Sequence, residues 1–100
     1  MRIPQTLFEK IWRRHTILER EDGQTLLYVD LHLLHDGSAP AFAMLRERGL
    51  KPRRPDLNVG TPDHYVPTDS RGLARISDPE RRAMAEALTK DSAAAGIALF

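Results

Sequence analysis

A short apolar strand followed by a polar loop is predicted near the middle of the chain, in Leu57-Asn58-Val59-Gly60-Thr61-Pro62-Asp63-His64. Residues 57–60 are predicted to form the strand, and residues 61–68 the loop. Pro62 and Pro67 restrict the backbone of that loop. In open α/β sheets, ligands bind in the loops that follow the carboxyl ends of strands, so this stretch indicates both a fold class and the position of a site.

A helix is predicted over residues 6–16, at the start of the chain. Thr6 and Glu9 have the spacing of a capping box, in which each side chain binds the backbone N–H of the other residue. Four apolar residues recur at helical spacing on one face and are expected to lie in the core; they are Leu7, Phe8, Ile11 and Trp12.

The next elements alternate between strand and helix. A turn at residues 21–24 precedes an apolar run at 25–29, which is predicted to be a strand covered on both faces. Residues 41–48 are predicted to form a helix that ends at Gly49.

A longer helix and a final strand complete the pattern. Ser77 or Asp78 caps a helix with Pro79 at its first position, and this helix ends near Gly96. Residues 97–100 are then predicted to form a strand. The order predicts an α/β fold, a mostly parallel small sheet flanked by helices, with residues 1–100 as a single segment. An apolar strand at the last residues suggests that the segment is an incomplete domain.

Composition excludes several classes of protein. The 100 residues suffice for one small domain, and 29% charged residues exclude a collagen, a low-complexity chain and a coiled coil. Lys and Arg (15) nearly balance Asp and Glu (14), so no overall charge favours nucleic acid or a membrane as a partner. Without a signal peptide or a long apolar run, a cytoplasmic location is expected. The chain has no cysteine, so it cannot ligate an iron–sulfur cluster by itself.

Asp63 and His64 are the candidate catalytic residues. A carboxylate beside an imidazole favours the charged ring and raises its pKa, so that the ring can donate a proton near neutral pH. The alternative is an ordinary polar loop in which Asp63 caps a turn.

A second group of polar residues surrounds the end of the first predicted strand. On a helix, His32 and His35 could share a face and bind zinc with Asp30 or Asp36. On a strand they point to opposite faces, so hydrogen-bonded histidines at a strand end are favoured and no metal ligand is assigned. Asp30, His32 and His35 remain candidates for supporting the catalytic pair.

Five basic residues occur within nine positions: Arg46, Arg48, Lys51, Arg53 and Arg54. Such a run could contact RNA or phosphate, but no aromatic residue is interleaved for stacking on bases. A solvated connection or a surface for another polypeptide is therefore the favoured interpretation.

Several ordered motifs together resemble the start of the aconitase superfamily, most closely the large subunits of 3-isopropylmalate dehydratases. They lie at residues 6–12, 26–36, 53–57 and 61–68. The resemblance implies the N-terminal segment of an aconitase-like α/β/α domain in a hydro-lyase of leucine biosynthesis. It also implies a hydroxy-dicarboxylate substrate, a small subunit as partner, and a [4Fe-4S] cluster held by cysteines beyond this segment. His64 would then protonate the departing hydroxyl, and Asp63 would orient its ring.

Departures from the family pattern leave other functions open. Leu31 stands where the family usually has Arg, and the segment between His35 and Phe42 lacks the Gln that touches substrate. Pro62 and Tyr65 flank the Asp-His pair where the family often has Met and Asn. The alternatives are a stand-alone binding or regulatory module without catalysis, a related hydratase of another hydroxy acid, and an RNA contact through the basic run.

Overall fold

Residues 2–63, 65–70 and 72–100 are described by a computed structural model, and the chain divides into two units, Met1–Asp30 and Leu31–Phe100. The first unit contains α1 (Leu7–His15), β1 (Thr16–Glu19) and β2 (Thr25–Leu27). The second contains β3 (His32–Leu34), α2 (Ala39–Glu47), β4 (Asn58–Gly60), α3 (Pro79–Ala95) and β5 (Ala98–Leu99). Short 3₁₀ turns occupy Asp36–Ser38, Pro55–Leu57 and Leu73–Arg75.

The capping box of α1 forms as predicted. The Glu9 N–H donates to Thr6 Oγ1 at 3.1 Å, and the Thr6 N–H donates to the Glu9 carboxylate at 2.7 Å. Hydrogen bonds from the Thr6 backbone and side chain hold the pKa of Glu9 below its usual value. The helix therefore begins where local hydrogen bonding places it.

The prediction that the apolar stripe of α1 lies in the core is wrong. Leu7 is 74% exposed, Phe8 and Ile11 are also exposed, and Trp12 is only half-buried and stacks on Phe8. A unit of thirty residues with one helix and one hairpin has too little chain to enclose four large side chains.

The predicted buried strand at residues 25–29 is also corrected. β2 covers only Thr25–Leu27 and pairs antiparallel with β1, a strand that the sequence reasoning missed. The turn between them contains Gly23, whose φ of 85° lies in the left-handed region. Leu26 and Leu27 remain exposed. An apolar run indicates extended backbone but not its partner, and here the nearest strand in sequence supplies it.

The second unit is built on a three-stranded parallel sheet in the order β3-β4-β5. His32 pairs with Asn58, and Val59 pairs with Ala98, so β4 is the central strand. The first strand of this sheet is β3 rather than the predicted segment 25–29. The α/β fold class with a small, mostly parallel sheet is confirmed.

Helices α2 and α3 connect these strands and contact each other. Arg46 on α2 donates to Asp91 on α3 at 2.8 Å. Asp78 caps α3 by accepting from the Arg81 N–H, and Gly96 ends it with φ 72°, as the sequence predicted. The buried core between these helices and the sheet includes a cluster of Leu34, Phe42, Leu88 and Ile97.

Gly60 is the point where α3 lies closest to the central strand. A Cβ placed on Gly60 would lie 3.0 Å from Ser92 Oγ and 3.0 Å from Leu99 Cδ1. Ser92 is buried, and its Oγ has no hydrogen-bond partner among the described residues. The hydroxyl therefore occupies space that only a glycine at position 60 leaves free.

The other face of the sheet is much less covered. Because register partners in a parallel sheet point to the same side, Leu33, Val59 and Ala98 share this face. Leu33 is 62% exposed. The helices that cover the sheet thus lie against the face that carries Leu34 and Gly60.

We expect Gly60→Ala to lower the free energy of unfolding by about 1–3 kcal/mol, because the added methyl overpacks against Ser92 and Leu99. Urea denaturation of the purified chain measures this change. Gly72→Ala is the matched control, since its Cβ would lie 3.5 Å from Ser70 Oγ, an ordinary contact. Equal loss of stability in both variants would contradict the close approach at Gly60.

Candidate functional site

The carboxyl ends of the three parallel strands form one edge of the sheet, where the loops begin side by side. The Thr61 N–H donates to the Leu34 carbonyl at 2.9 Å, and the Phe100 N–H donates to the Gly60 carbonyl at 2.7 Å. These bonds extend the ladder one residue beyond β4 and β5. The position of Thr61, and hence the start of the loop that carries Asp63, is therefore set by the sheet.

A cleft of about 850 Å³ opens at this edge. Two carboxylates and four hydroxyls line it, together with apolar and proline side chains. The polar set is Asp63, Asp69, Thr61, Thr68, Ser70 and Thr89, and the apolar set is Pro62, Val66, Pro67, Leu73, Leu99 and Phe100. The described lining residues include no Lys or Arg, although Arg75 lies 3.7 Å from the Asp69 carboxylate.

Asp63 lies at the position that the sequence predicted. It follows β4 by three residues, is exposed, and lines the cleft. Its predicted partner His64 lies outside the described residues. The catalytic role of the pair stays a prediction, and the structure describes the surroundings of the Asp63 carboxylate.

Tyr65 and Arg81 are two residues of this region that the sequence reasoning did not connect. The Arg81 guanidinium carbon lies 5.4 Å from the centroid of the Tyr65 ring, within the range of a cation–π contact. Tyr65 belongs to the loop and Arg81 to the first turns of α3. No spacing rule could have shown this pair, because the two residues meet only through the packing of α3.

His35 and Asp36 follow β3 at the same edge. Asp36 is buried, with 1% exposure, whereas the sequence suggested only a polar strand end. His35 Nδ1 accepts a hydrogen bond from the Gly37 N–H at 3.0 Å and lies 3.3 Å from Asp36 Oδ1. His35 does not line the cleft that contains Asp63.

The other two supporting candidates, His32 and Asp30, each contact a polar side chain of their own unit. His32 is at the start of β3, at the opposite edge of the sheet, where its Nδ1 is 2.9 Å from Asn58 Oδ1. Asp30 belongs to the first unit and contacts His15, with 2.8 Å between its Oδ2 and His15 Nε2. Within the second unit, neither His32 nor His35 lines the cleft that contains Asp63, and the supporting role of Asp30 stays a prediction.

The described residues do not fit an iron–sulfur cluster or another metal centre. The sequence has no cysteine, and within the described ranges no three His, Asp or Glu side chains are grouped closely enough to hold an ion. The closest sequence-based candidates, His32 and His35, bind Asn58 and Gly37 as described above.

Two members of the basic run are paired with carboxylates. Arg46 binds Asp91, and Arg54 donates to both carboxylate oxygens of Asp56, at 3.0 and 2.7 Å. The Arg54 hydrogen bonds lower the pKa of Asp56. This arrangement agrees with a solvated connection between α2 and β4.

These features define a parallel α/β unit with an acidic and hydroxylic cleft at the carboxyl edge of its sheet. The family model described as "Aconitase family (aconitate hydratase)" matches residues 9–100, and the chain belongs to the aconitase family. Hydro-lyase chemistry is the activity that this family implies in general, and the family normally binds a [4Fe-4S] cluster. No solved structure matches the chain. Over the residues that the structure describes, none of the helices is both long and apolar enough to cross a membrane.

We expect neutral His35 to carry its proton on Nε2, because Nδ1 accepts from the Gly37 N–H at 3.0 Å, a closer contact than the 3.3 Å between Nδ1 and Asp36 Oδ1. The ¹⁵N chemical shifts of the imidazole ring distinguish the two tautomers. Gly37→Ala should disturb this preference, since its Cβ would lie 2.6 Å from His35 Cε1 and displace the ring. A ring protonated mainly on Nδ1 in the unmodified chain would contradict this hydrogen bond.

We expect His15 to titrate above its ordinary pKa of 6.5, because the Ile11 carbonyl and then the Asp30 carboxylate accept hydrogen bonds from the charged ring. The resulting stabilisation is present below pH 6.5 and is lost as the pH rises through the raised pKa. NMR titration of the ring measures this value. Asp30→Asn should lower it, and the control Asp22→Asn should not. A pKa at or below the ordinary value would contradict both contacts.

Proposed function

We propose that this chain forms one wall of the active site of a hydro-lyase, as the N-terminal segment of a large subunit similar to 3-isopropylmalate dehydratase. The observation that supports this proposal most is the position of Asp63 in a cleft at the carboxyl edge of a parallel sheet, within a chain of the aconitase family. The reaction would convert 2-isopropylmalate to 3-isopropylmalate by removing water and adding it back. The cytoplasmic location stays a prediction.

The proposed role of the Asp63-His64 pair is proton transfer to the hydroxyl that leaves. A hydroxide ion is a poor leaving group, so the oxygen must gain a proton as its bond to carbon breaks. The His64 imidazolium would supply this proton, and water would depart. Asp63 would stabilise the charged ring and fix its orientation. The proton on the neighbouring carbon would be removed by a base from other parts of the enzyme.

The lining of the cleft favours a substrate with an aliphatic substituent. Val66, Leu73 and Leu99 offer apolar contacts, and the hydroxyls of Thr61 and Thr89 can orient a polar group. An isopropyl group suits such a wall better than a third carboxylate would. The described lining residues carry no cation, so we propose that the substrate carboxylates bind to other parts of the enzyme and to the small subunit.

A binding module without catalysis is the second candidate. The absence of cysteine from the sequence and of a grouped metal-ligand set from the described residues favours it, because this chain alone cannot hold the family's cluster. The two functions differ in their dependence on Asp63. The hydro-lyase needs this carboxylate for turnover, whereas a binding module catalyses no reaction and would not need it.

We expect Asp63→Asn and His64→Gln each to lower kcat by about 10²-fold or more, the contribution of a positioned general acid. The assay uses the large subunit that contains this chain, assembled with its small subunit, and follows the absorbance of the alkene formed from 2-isopropylmalate. Asp56→Asn is the matched control, because it removes an exposed carboxylate that pairs with Arg54 away from the cleft.

Two results would contradict the proposal. If Asp63→Asn had wild-type activity, the proposed catalytic role of the Asp63-His64 pair would be contradicted. The assembled wild-type enzyme could also fail to dehydrate 2-isopropylmalate and act on another hydroxy acid. That result would support the hydro-lyase class but contradict the proposed substrate.

A further inference from the structure

We propose that Arg81 is a positioning residue for the loop that carries Asp63 and acts through the ring of Tyr65. This proposal rests on the proposed function, because it assigns a role in the same site. Tyr65 directly follows His64 in sequence and is half-buried. The Arg81 guanidinium lies over its ring at 5.4 Å and ties this point of the loop to α3.

The arginine is itself held in place at the start of α3. Its backbone N–H donates to Asp78 Oδ1 at 3.0 Å, in the cap of the helix. The next residue, Arg82, donates through Nε and Nη2 to the Ile76 carbonyl at 2.9 and 2.7 Å. The backbone that carries the guanidinium is thus fixed on both sides of the helix start, and the ring of Tyr65 contacts a cation on a rigid element.

The same helix also holds the strand that precedes the catalytic segment. Ser92 and Leu88 pack against Gly60, where a Cβ would meet Ser92 Oγ at 3.0 Å and Leu88 Cδ1 at 3.6 Å. Helix α3 therefore contacts the chain immediately before Thr61 and again at Tyr65. Only residues 61–64 lie between these two contacts, and they include both proposed catalytic residues.

Two anchors restrict such a short segment far more than one does. Pro62 limits its own φ, but a fixed φ does not fix where the segment lies relative to the cleft. If the contact at Tyr65 is lost, the chain that carries Asp63 is held against α3 only through the packing at Gly60. Catalysis by proton transfer depends closely on position, so kcat should fall while substrate binding by other groups, and with it KM, changes little.

The experiment compares paired variants of the assembled enzyme. Arg81→Gln and Tyr65→Leu remove the cation and the ring, whereas Arg81→Lys and Tyr65→Phe keep a cation and a ring face. Lys90→Gln is the control, because it removes the same charge from an exposed position on α3. Each variant is measured by hydrogen exchange of the peptide that covers residues 61–70 and by kcat and KM for 2-isopropylmalate.

We expect exchange in residues 61–70 to rise, and kcat to fall, by about two- to fivefold in Arg81→Gln and Tyr65→Leu, the range of an exposed cation–π contact. KM and exchange in the core of α3 should stay unchanged. Arg81→Lys and Tyr65→Phe should keep hydrogen exchange and kcat close to their wild-type values. Lys90→Gln should resemble the wild type.

Four outcomes would overturn the positioning role. Unchanged exchange at residues 61–70 would show that the contact does not hold the loop. Faster exchange throughout α3 would show general destabilisation instead. Normal kcat in Arg81→Gln, alongside an inactive Asp63→Asn, would reject the role of Arg81 and leave the proposed function standing. Full activity of Asp63→Asn would instead overturn the proposed function, and the positioning role with it.

Discussion

The approach of α3 to the backbone of Gly60 is the contact on which the second unit depends. A helix can lie this close to a central strand only where the strand has no side chain, and Ser92 and Leu88 occupy the space that results. Because β4 is the middle strand, the distance between β4 and α3 also determines where the carboxyl end of β4 lies. The cleft at that end, and the loop with Asp63, therefore follow from a packing constraint one residue earlier in the chain.

Sequence reasoning succeeded where structure is decided by contacts a few residues apart. The capping box at Thr6 and the Asp78 cap both depend on hydrogen bonds within a single turn, so their residues can be recognised directly. It failed for residues 25–29 because an apolar run indicates neither which strand lies alongside nor whether another element covers it, and Leu26 and Leu27 are exposed. There the turn at Gly23 allowed pairing with β1, and a hairpin replaced the expected strand of a parallel sheet.

The candidate site also contains one residue whose position the sequence could predict and contacts that it could not. Asp63 could be placed because a loop that follows a parallel strand must begin at the carboxyl edge. Two contacts could not be predicted from the sequence, because each joins residues from different elements. They are the contact of Tyr65 with Arg81 and the contact of His15 with Asp30. Asp30 illustrates the difficulty, because the His15 ring that contacts it lies on α1, 15 positions earlier in the sequence.

The strand order also has a consequence for how the chain folds as it is synthesised. The central strand β4 pairs with β3, which is made earlier, and with β5, which is made roughly forty residues later. At ribosomal speeds, β4 would wait roughly 2–8 seconds with one backbone edge unpaired. An unpaired edge of this kind can recruit a strand from another nascent chain. The rate of translation between residues 60 and 98 should therefore influence the yield of correctly folded protein.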